Sequence, residues 1–562
     1  MKRSRPSHNY EILRRILSKT RRIEVSPDIS YLVVYTFLYK YCSDLLKDYF
    51  LSIIEDKAMT LDEAYKNQLV CDMFREDAFN MFGYYIKTSD AFIDEVMNTS
   101  YPNRFFIHEF YNAFSKNLEF PKGSNYEKYF NFIFDSVSQE INLNKFEFEG
   151  EDHLIVKDII RAISRLDVME KEYSYERVFD KICKSNLMKI EEDPEYISQV
   201  LSYIVSSTKG QVDDIYNPFL RDASLLVDLK RHYDFGMRNK YGKNSDKLTY
   251  CASIIKLYLN DFDLDSVFLE YGSPIESVDI KSASFDVILS RIPPITQRNL
   301  KRLNRNQNIK MAKRNKRKQL ENVLSAKFDM DEESFLNDVE LNDALENLLS
   351  KMDLEKDSQV EFEGEYESLK DSEYLFLINL IGCLKDDGIM AVSMSQGFMF
   401  KNSLEKLRKY LTVEKNYIDA VISIPDELSR PQRSEIIVIF RKCKTSDDIV
   451  FIDTSKDFKL KRSAYAVPGM FKKNLLLDNA TLKRVIDVYL KRKPLKKFSN
   501  VVAIKEIEEN EFNLSISRYV DTFEGQFIDL KDLKHQREEI TSNLDQLNKK
   551  IDMMMDELNI RF

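Results

Sequence analysis

From about residue 191 onward, short runs rich in Val and Ile alternate with stretches of helical periodicity, and this rhythm narrows the possible folds more than any other feature of the chain. The runs are Val212–Tyr216, Ser266–Leu269, Phe285–Ser290, Ile389–Met394, Ile418–Ile424, Glu435–Phe440 and Ile449–Ile452. Apolar strands separated by helices predict a mostly parallel sheet covered on both faces. Ligands of such sheets sit at the carboxyl ends of the strands. The first 190 residues have a different texture. Tyr10–Ser18, Ile29–Ile54, Phe105–Phe114 and Lys128–Ile141 carry apolar residues three and four apart, the spacing of helices with one buried face.

The expected class is therefore α/β, with a helical domain over 1–190 and a sheet domain over 191–500. A chain of 562 residues exceeds one compact core. Its 13 Gly and 13 Pro are too few for a collagenous or disordered polymer. A net charge of −9 means that no global field draws nucleic acid, so such contact needs local basic patches or a partner. Six widely spaced cysteines form no CxxC pair and read as scattered buried thiols in a reducing compartment. The five histidines offer no metal-ligand spacing, so no metal is expected. Met1–Lys19 lacks the apolar run of a signal peptide, and no stretch reaches the ~18 apolar residues that span a bilayer. The expected location is the cytoplasm, with no membrane partner.

Two segments stand apart. Gln297–Ser372 breaks the strand–helix rhythm: Arg298–Lys318 holds ten Lys or Arg and no acid, and Glu321–Asp371 is strongly acidic. Either the halves fold back on each other as a solvated helical pair, or the basic half contacts DNA phosphates through Arg298, Lys301, Arg302, Arg305, Lys313, Arg314, Lys316 and Arg317. At the end of the chain, within 501–562, Leu533, Ile540, Leu544, Leu547, Ile551, Met554 and Leu558 form a heptad seam between charged flanks. That seam predicts a coiled-coil helix that joins a partner helix.

Several strings, in order, carry a resemblance. They are Phe37-Leu-Tyr-Lys-Tyr-Cys-Ser-Asp44, Ile215-Tyr-Asn-Pro-Phe-Leu-Arg-Asp-Ala-Ser-Leu-Leu226, and Phe285-Asp-Val-Ile-Leu-Ser-Arg-Ile-Pro-Pro294. Leu384-Lys-Asp-Asp-Gly-Ile-Met-Ala-Val392, Tyr417-Ile-Asp-Ala-Val-Ile-Ser-Ile-Pro425 and Phe451-Ile-Asp-Thr-Ser455 follow. The most specific is Phe512-Asn-Leu-Ser-Ile-Ser-Arg-Tyr-Val-Asp-Thr522. Across nearly its whole length the chain resembles the modification (M) subunit of type I restriction–modification systems, an adenine-N6 DNA methyltransferase family. The resemblance implies a Rossmann-like S-adenosylmethionine methyltransferase sheet, which the charged insertion at 297–372 interrupts here, and a C-terminal partner-binding helix. The implied partners are DNA, a specificity subunit, and a restriction subunit or second M subunit.

The family's chemistry is missing where it should stand. Its cofactor loop, roughly Asp-Pro-x-x-Gly-x-Gly-x, lets backbone approach the cofactor closely. This chain reads Asn217-Pro218-Phe219-Leu220-Arg221-Asp222-Ala223-Ser224, so both glycines are replaced and Arg221 is predicted to fill or block the site. The Asn-Pro-Pro-aromatic tetrad, whose Asn accepts hydrogen bonds from the target amino group and whose ring stacks on the flipped base, reads Ile292-Pro293-Pro294-Ile295. Isoleucine has no acceptor, and Arg291 beside it is a donor only. Asn244, in Tyr241-Gly-Lys-Asn244, stands where the resemblance puts a ribose-binding carboxylate; Glu270 and Glu276 lie near the adenine-contacting acid, and Pro194 resembles a remnant of the motif before the domain. The favoured expectation is a pseudo-methyltransferase, its S-adenosylmethionine binding lost, kept for DNA binding and subunit assembly. The alternatives are an active S-adenosylmethionine-dependent adenine-N6 methyltransferase with divergent motifs, and a paralogue that pairs with an intact M subunit.

Overall fold

The computed structural model describes residues 7–20, 27–54, 59–99, 107–141, 151–232 apart from 172, 186, 189, 191 and 192, 237–272, 284–292, 377–424 apart from 378 and 379, 435–455, 459–460, 475–476, 479–521 and 530–557. Its centre is a nine-stranded sheet. In chain order the strands are β1 (Asp214–Asn217), β2 (Asn239–Asn244), β3 (Val267–Tyr271), β4 (Phe285–Arg291), β5 (Leu384–Ser395), β6 (Ile418–Ser423), β7 (Glu435–Arg441), β8 (Asp448–Ile452) and β9 (Ser499–Ala503). Across the sheet they run β3-β2-β1-β4-β5-β7-β6-β8-β9. Only β7, antiparallel to β5 and β6, and β9, antiparallel to β8, run against the rest. The sheet is mostly parallel, as the alternating texture predicts.

The chain leaves β1 for β2 and β3 on one side, then crosses back so that β4 pairs with the other edge of β1. That reversal makes the region beyond the carboxyl ends of β1 and β4, hereafter the crevice, the place where open α/β sheets bind ligands. Two strands escape the sequence reading. Asn239-Lys-Tyr-Gly-Lys-Asn244 has no apolar run, yet it pairs along both edges, with β1 and with β3. Neighbouring backbones supply the ladder that its composition does not advertise. Its Gly242 is required by packing: a Cβ there would meet Leu269 at 3.0 Å and Leu220 at 3.1 Å. Ser499–Ala503, short and half-polar, forms the antiparallel edge.

The predicted N-terminal helices are present, including α1 (Pro27–Ile54), α2 (Asn125–Glu140) and α3 (Tyr175–Cys183), with a short antiparallel pairing of Tyr85–Ile86 and Leu118–Glu119. Helices α4 (Glu195–Thr208), α5 (Ser224–His232) and α6 (Lys247–Leu259) lie against the sheet. A single apolar cluster runs from Leu13 and Leu38 through Tyr129 and Leu201 to Ile215, Leu289 and Ile437, so the N-terminal helices share one core with one face of the sheet. Tyr129 ties the two parts by hydrogen bonds: its hydroxyl donates to the Val267 carbonyl at 2.6 Å and accepts from Leu269 N–H at 2.7 Å. A second cluster, around Tyr216, Ile288, Val392 and Phe451, covers the other face.

Helix α7 (Asn479–Lys491) leads into β9, and the final described element is α8 (Leu530–Glu557). Four cysteines are buried, but Cys71 is half-buried and Cys443 is exposed; the all-buried expectation fails at Cys443 because it lies in the turn between β7 and β8. Among the described residues no helix is long and apolar enough to cross a membrane.

Candidate functional site

The loop after β1 is pinned at both ends. Leu220 N–H donates to the Lys243 carbonyl of β2 at 3.0 Å, and Ala223 N–H closes a turn on the Leu220 carbonyl at 2.8 Å. The Ala223 carbonyl accepts from Leu226 and Val227 N–H, starting α5. Arg221 and Ala223 both hold left-handed backbone, with φ of 46° and 62°. These are the two positions where the family pattern has glycine. The loop therefore follows a glycine-type path with side chains attached, at a cost of about 1–3 kcal/mol per residue.

Contacts around the loop compensate. Asn244 donates from Nδ2 to the Arg221 carbonyl at 2.8 Å, and its Oδ1 accepts Asp246 N–H at 3.0 Å. Asp222, buried, accepts from Lys256 Nζ at 2.8 Å and Ser224 Oγ at 2.7 Å. Lys256 also reaches Asp180 of α3 at 2.9 Å, fastening the loop to the N-terminal helices. Burial alone would lower the Lys256 ammonium, but Asp180 and Asp222 beside it reverse that and hold it charged above the ordinary lysine range.

The Arg221 side chain turns into the crevice. Its guanidinium lies 3.3 Å from Asp193 Oδ1, and Nη2 donates to the Arg291 carbonyl at 3.4 Å. Asp193, 0% exposed, precedes Pro194, the N-cap of α4. Burial pushes its carboxyl up to about 7 despite the downward pull of Arg221. At the end of β4, Arg291 grips Glu435 of β7 with two bonds, Nε to Oε2 at 2.8 Å and Nη2 to Oε1 at 2.5 Å; Ser393 Oγ adds a third donor at 3.2 Å. Two acids and two guanidiniums thus meet in one buried spot, where the Arg291–Glu435 pair is the doubly bonded one.

Ile292 is 2% exposed in the second apolar cluster, and its N–H donates to the Ser393 carbonyl at 2.8 Å. Asn217, wholly buried, has no hydrogen-bond partner for either side-chain atom among the described residues. Pro218 follows it into the loop, and Glu270 pairs at the surface with Lys243 at 2.7 Å. Pro293, Pro294, Ile295, Glu276 and the whole basic run from Arg298, Lys301, Arg302 and Arg305 to Lys313, Arg314, Lys316 and Arg317 lie outside the described residues. In α8, Ile540, Leu544, Leu547, Ile551 and Met554 are 50–62% exposed; the Leu533 side chain and Leu558 lie outside the described residues.

Asp193, Glu435, Lys256 and Asp180 were not anticipated as site residues, since no motif spacing joins them. Two of them still leave a trace: Lys256 is a lysine inside the mostly apolar Tyr250–Leu259 stretch, and Glu435 opens the apolar run Ile436–Phe440. A charge placed in a fully buried element requires a partner from elsewhere in the fold.

The family described as N-6 DNA Methylase matches residues 326–526. The methylase subunit of the type I restriction enzyme MpnII from Mycoplasma pneumoniae is 22% identical over 95% of this chain and 93% of its own length. The corresponding MjaVII subunit of Methanocaldococcus jannaschii is 27% identical over 23% of this chain and 22% of its own. Among solved structures, the type I methyltransferase subunit from Streptococcus thermophilus superposes with a TM-score of 0.65 at 17% identity, covering 91% of this chain and 99% of that one. A chain from a study of type I complex assembly gives 0.50 at 12% identity over 99% and 98%. These superpositions fix the fold.

Proposed function

Since this chain belongs with the modification subunits of type I restriction–modification systems, we propose that it is a non-catalytic member of such a complex, retained for DNA association and subunit assembly. The observation that carries this reading is the Arg221 guanidinium buried between Asp193 and the Arg291 carbonyl at the crevice of β1 and β4. The residues present do not suit S-adenosylmethionine. A guanidinium occupies the space that a glycine would leave, Ala223 is fully buried, and the Asn244 amide is engaged by loop backbone on both sides. At the tetrad, Ile292 offers no acceptor for an adenine amino group and packs in the core.

The assembly role rests on α8, whose apolar seam faces solvent in the isolated chain and takes a partner helix, that of a specificity subunit, by knobs-into-holes packing. A restriction subunit or second M subunit completes the complex.

One observation favours the competing reading of an active adenine-N6 methyltransferase. The orphaned Asn217 side chain is a buried polar group that a polar ligand would satisfy. Isothermal titration calorimetry of the full chain with S-adenosylmethionine decides between them, with an intact family member as positive control. Absence of heat at millimolar ligand supports the non-catalytic subunit. Micromolar binding, followed by methyl transfer to DNA with the specificity subunit, overturns it.

A further inference from the structure

Between Lys483 and Lys497 the chain carries seven Lys or Arg and a single acid, Asp487. This stretch is the end of α7 and the turn into β9, the edge strand of the sheet, separated from β4 in the strand order by β5, β7, β6 and β8. Two of its cations are committed inward. The Arg492 guanidinium binds buried Asp419 at 2.7 Å and also Asp448, while Tyr489 Oη donates to the other Asp419 oxygen at 2.6 Å. Arg484 lies over the Phe498 ring, 4.0 Å from its centroid. The acids within reach are thereby answered from inside, and Asp487 meets Lys491 at 2.9 Å at the surface.

The outer face is still mostly positive. Lys493 and Lys496 are exposed within a few residues of Lys491, which faces Asp487, and of the exposed Lys497. The backbone that presents them is strained, for Arg492 and Lys497 take left-handed φ of 47° and 63° where glycine would sit without cost. Cations held at such positions by a turn anchored through Arg492 suggest that the display itself has a use. The turn also walls an open cavity of about 470 Å³, with Pro494, Lys496 and Lys497 on one side, Asn500 and Tyr519 on the other, and Asp521 as the acid in the lining. A concave basic surface concentrates anions more strongly than a flat one.

We propose that the turn 491–497 is a contact surface for the phosphodiester backbone of nucleic acid, distinct from the crevice of β1 and β4. Lysines suit this target: flexible point charges tolerate variable spacing and read no sequence. The inference rests on the DNA-association reading above and gives it a location.

The test is fluorescence anisotropy of the full chain with a labelled 30-base-pair duplex between 50 and 200 mM salt, comparing wild type with Lys491→Gln/Lys493→Gln/Lys496→Gln. These side chains are exposed, so the variant's melting curve should match wild type. The slope of log K against log salt should fall in magnitude by about 2–3, at roughly 0.9 per phosphate contact, and affinity at low salt should drop ~10- to 100-fold. Wild-type binding with an unchanged slope in the variant overturns this location alone. No duplex binding by wild type overturns the DNA reading along with it. If polyglutamate binds in a lysine-dependent way and duplex does not, the surface is one for an acidic protein and the proposal falls.

Discussion

Asn244 of β2 holds the Arg221 carbonyl through a 2.8 Å hydrogen bond, and Arg221 extends from that fixed backbone to within 3.3 Å of Asp193. The two positions to which the resemblance assigns a close backbone approach and a ribose contact are joined to each other. This makes Arg221 a structural residue whose removal has two opposed effects. Arg221→Gly relieves a left-handed backbone worth about 1–3 kcal/mol and, at pH 8 where Asp193 is ionised, strands a buried carboxylate at a cost of about 3–5 kcal/mol. The single variant should be less stable by roughly 1–3 kcal/mol, and adding Asp193→Asn should recover most of the loss. Urea denaturation of the four proteins of this cycle measures it; a single variant more stable than wild type contradicts the ion pair.

Asp193 gives the crevice a pH dependence of unusual sign. Its folded value of about 7 is raised by burial above the ~3.9 of an unfolded aspartate. A raised acid contributes stability that is complete below pH ~4 and is lost as the pH climbs to about 7. The urea midpoint of wild type relative to Asp193→Asn should therefore decline from pH 4 to 7 and level off above. A difference that rises over that range would show the carboxyl to be held ionised by Arg221.

Arg291 and Glu435 make the same argument across β4 and β7 without a strained backbone. Arg291→Ala leaves Glu435 buried with Ser393 as its remaining donor, and should cost about 3–5 kcal/mol. The double exchange Arg291→Met/Glu435→Leu, which removes both charges and keeps volume, should cost much less than the single. Equal losses in single and double variants would mean that the pair is not the source of the stability.

Ile292→Asn separates core from catalysis. The side chain sits in the second apolar cluster, so an amide there is buried without a prepared partner and should lower stability by about 1–3 kcal/mol. Methyl transfer should stay at background in the presence of a specificity subunit. Activity that appears on restoring Asn would revive the enzymatic reading.

For α8, Leu544→Asp/Ile551→Asp should leave the melting temperature within about a degree, since both side chains are already exposed. If the proposed assembly role holds, the same variant should fail to co-purify with a specificity subunit. Retained association would place the interface elsewhere.

The sequence by itself determined the layers, because the period of the apolar pattern is a local property that survives any tertiary arrangement. Helical spacing placed Pro27–Ile54 and Asn125–Glu140 within a few residues, and Val/Ile runs placed seven strands of the sheet. It missed Asn239–Asn244, whose strand identity comes from two neighbouring backbones rather than from its own side chains. The resemblance also pointed to positions 221 and 223, where the backbone is left-handed. What only the tertiary structure decided is where the resulting charges go. Arg221, Asp193, Arg291 and Glu435 are scattered over more than 240 positions of the chain, and no spacing rule relates them. They meet because β4 returns to the side of β1 and β7 inserts between β5 and β6, bringing four strand and helix ends to one desolvated spot. There a buried charge is tolerable only beside its opposite, so the partners are chosen by the fold's geometry and not by their distance along the sequence.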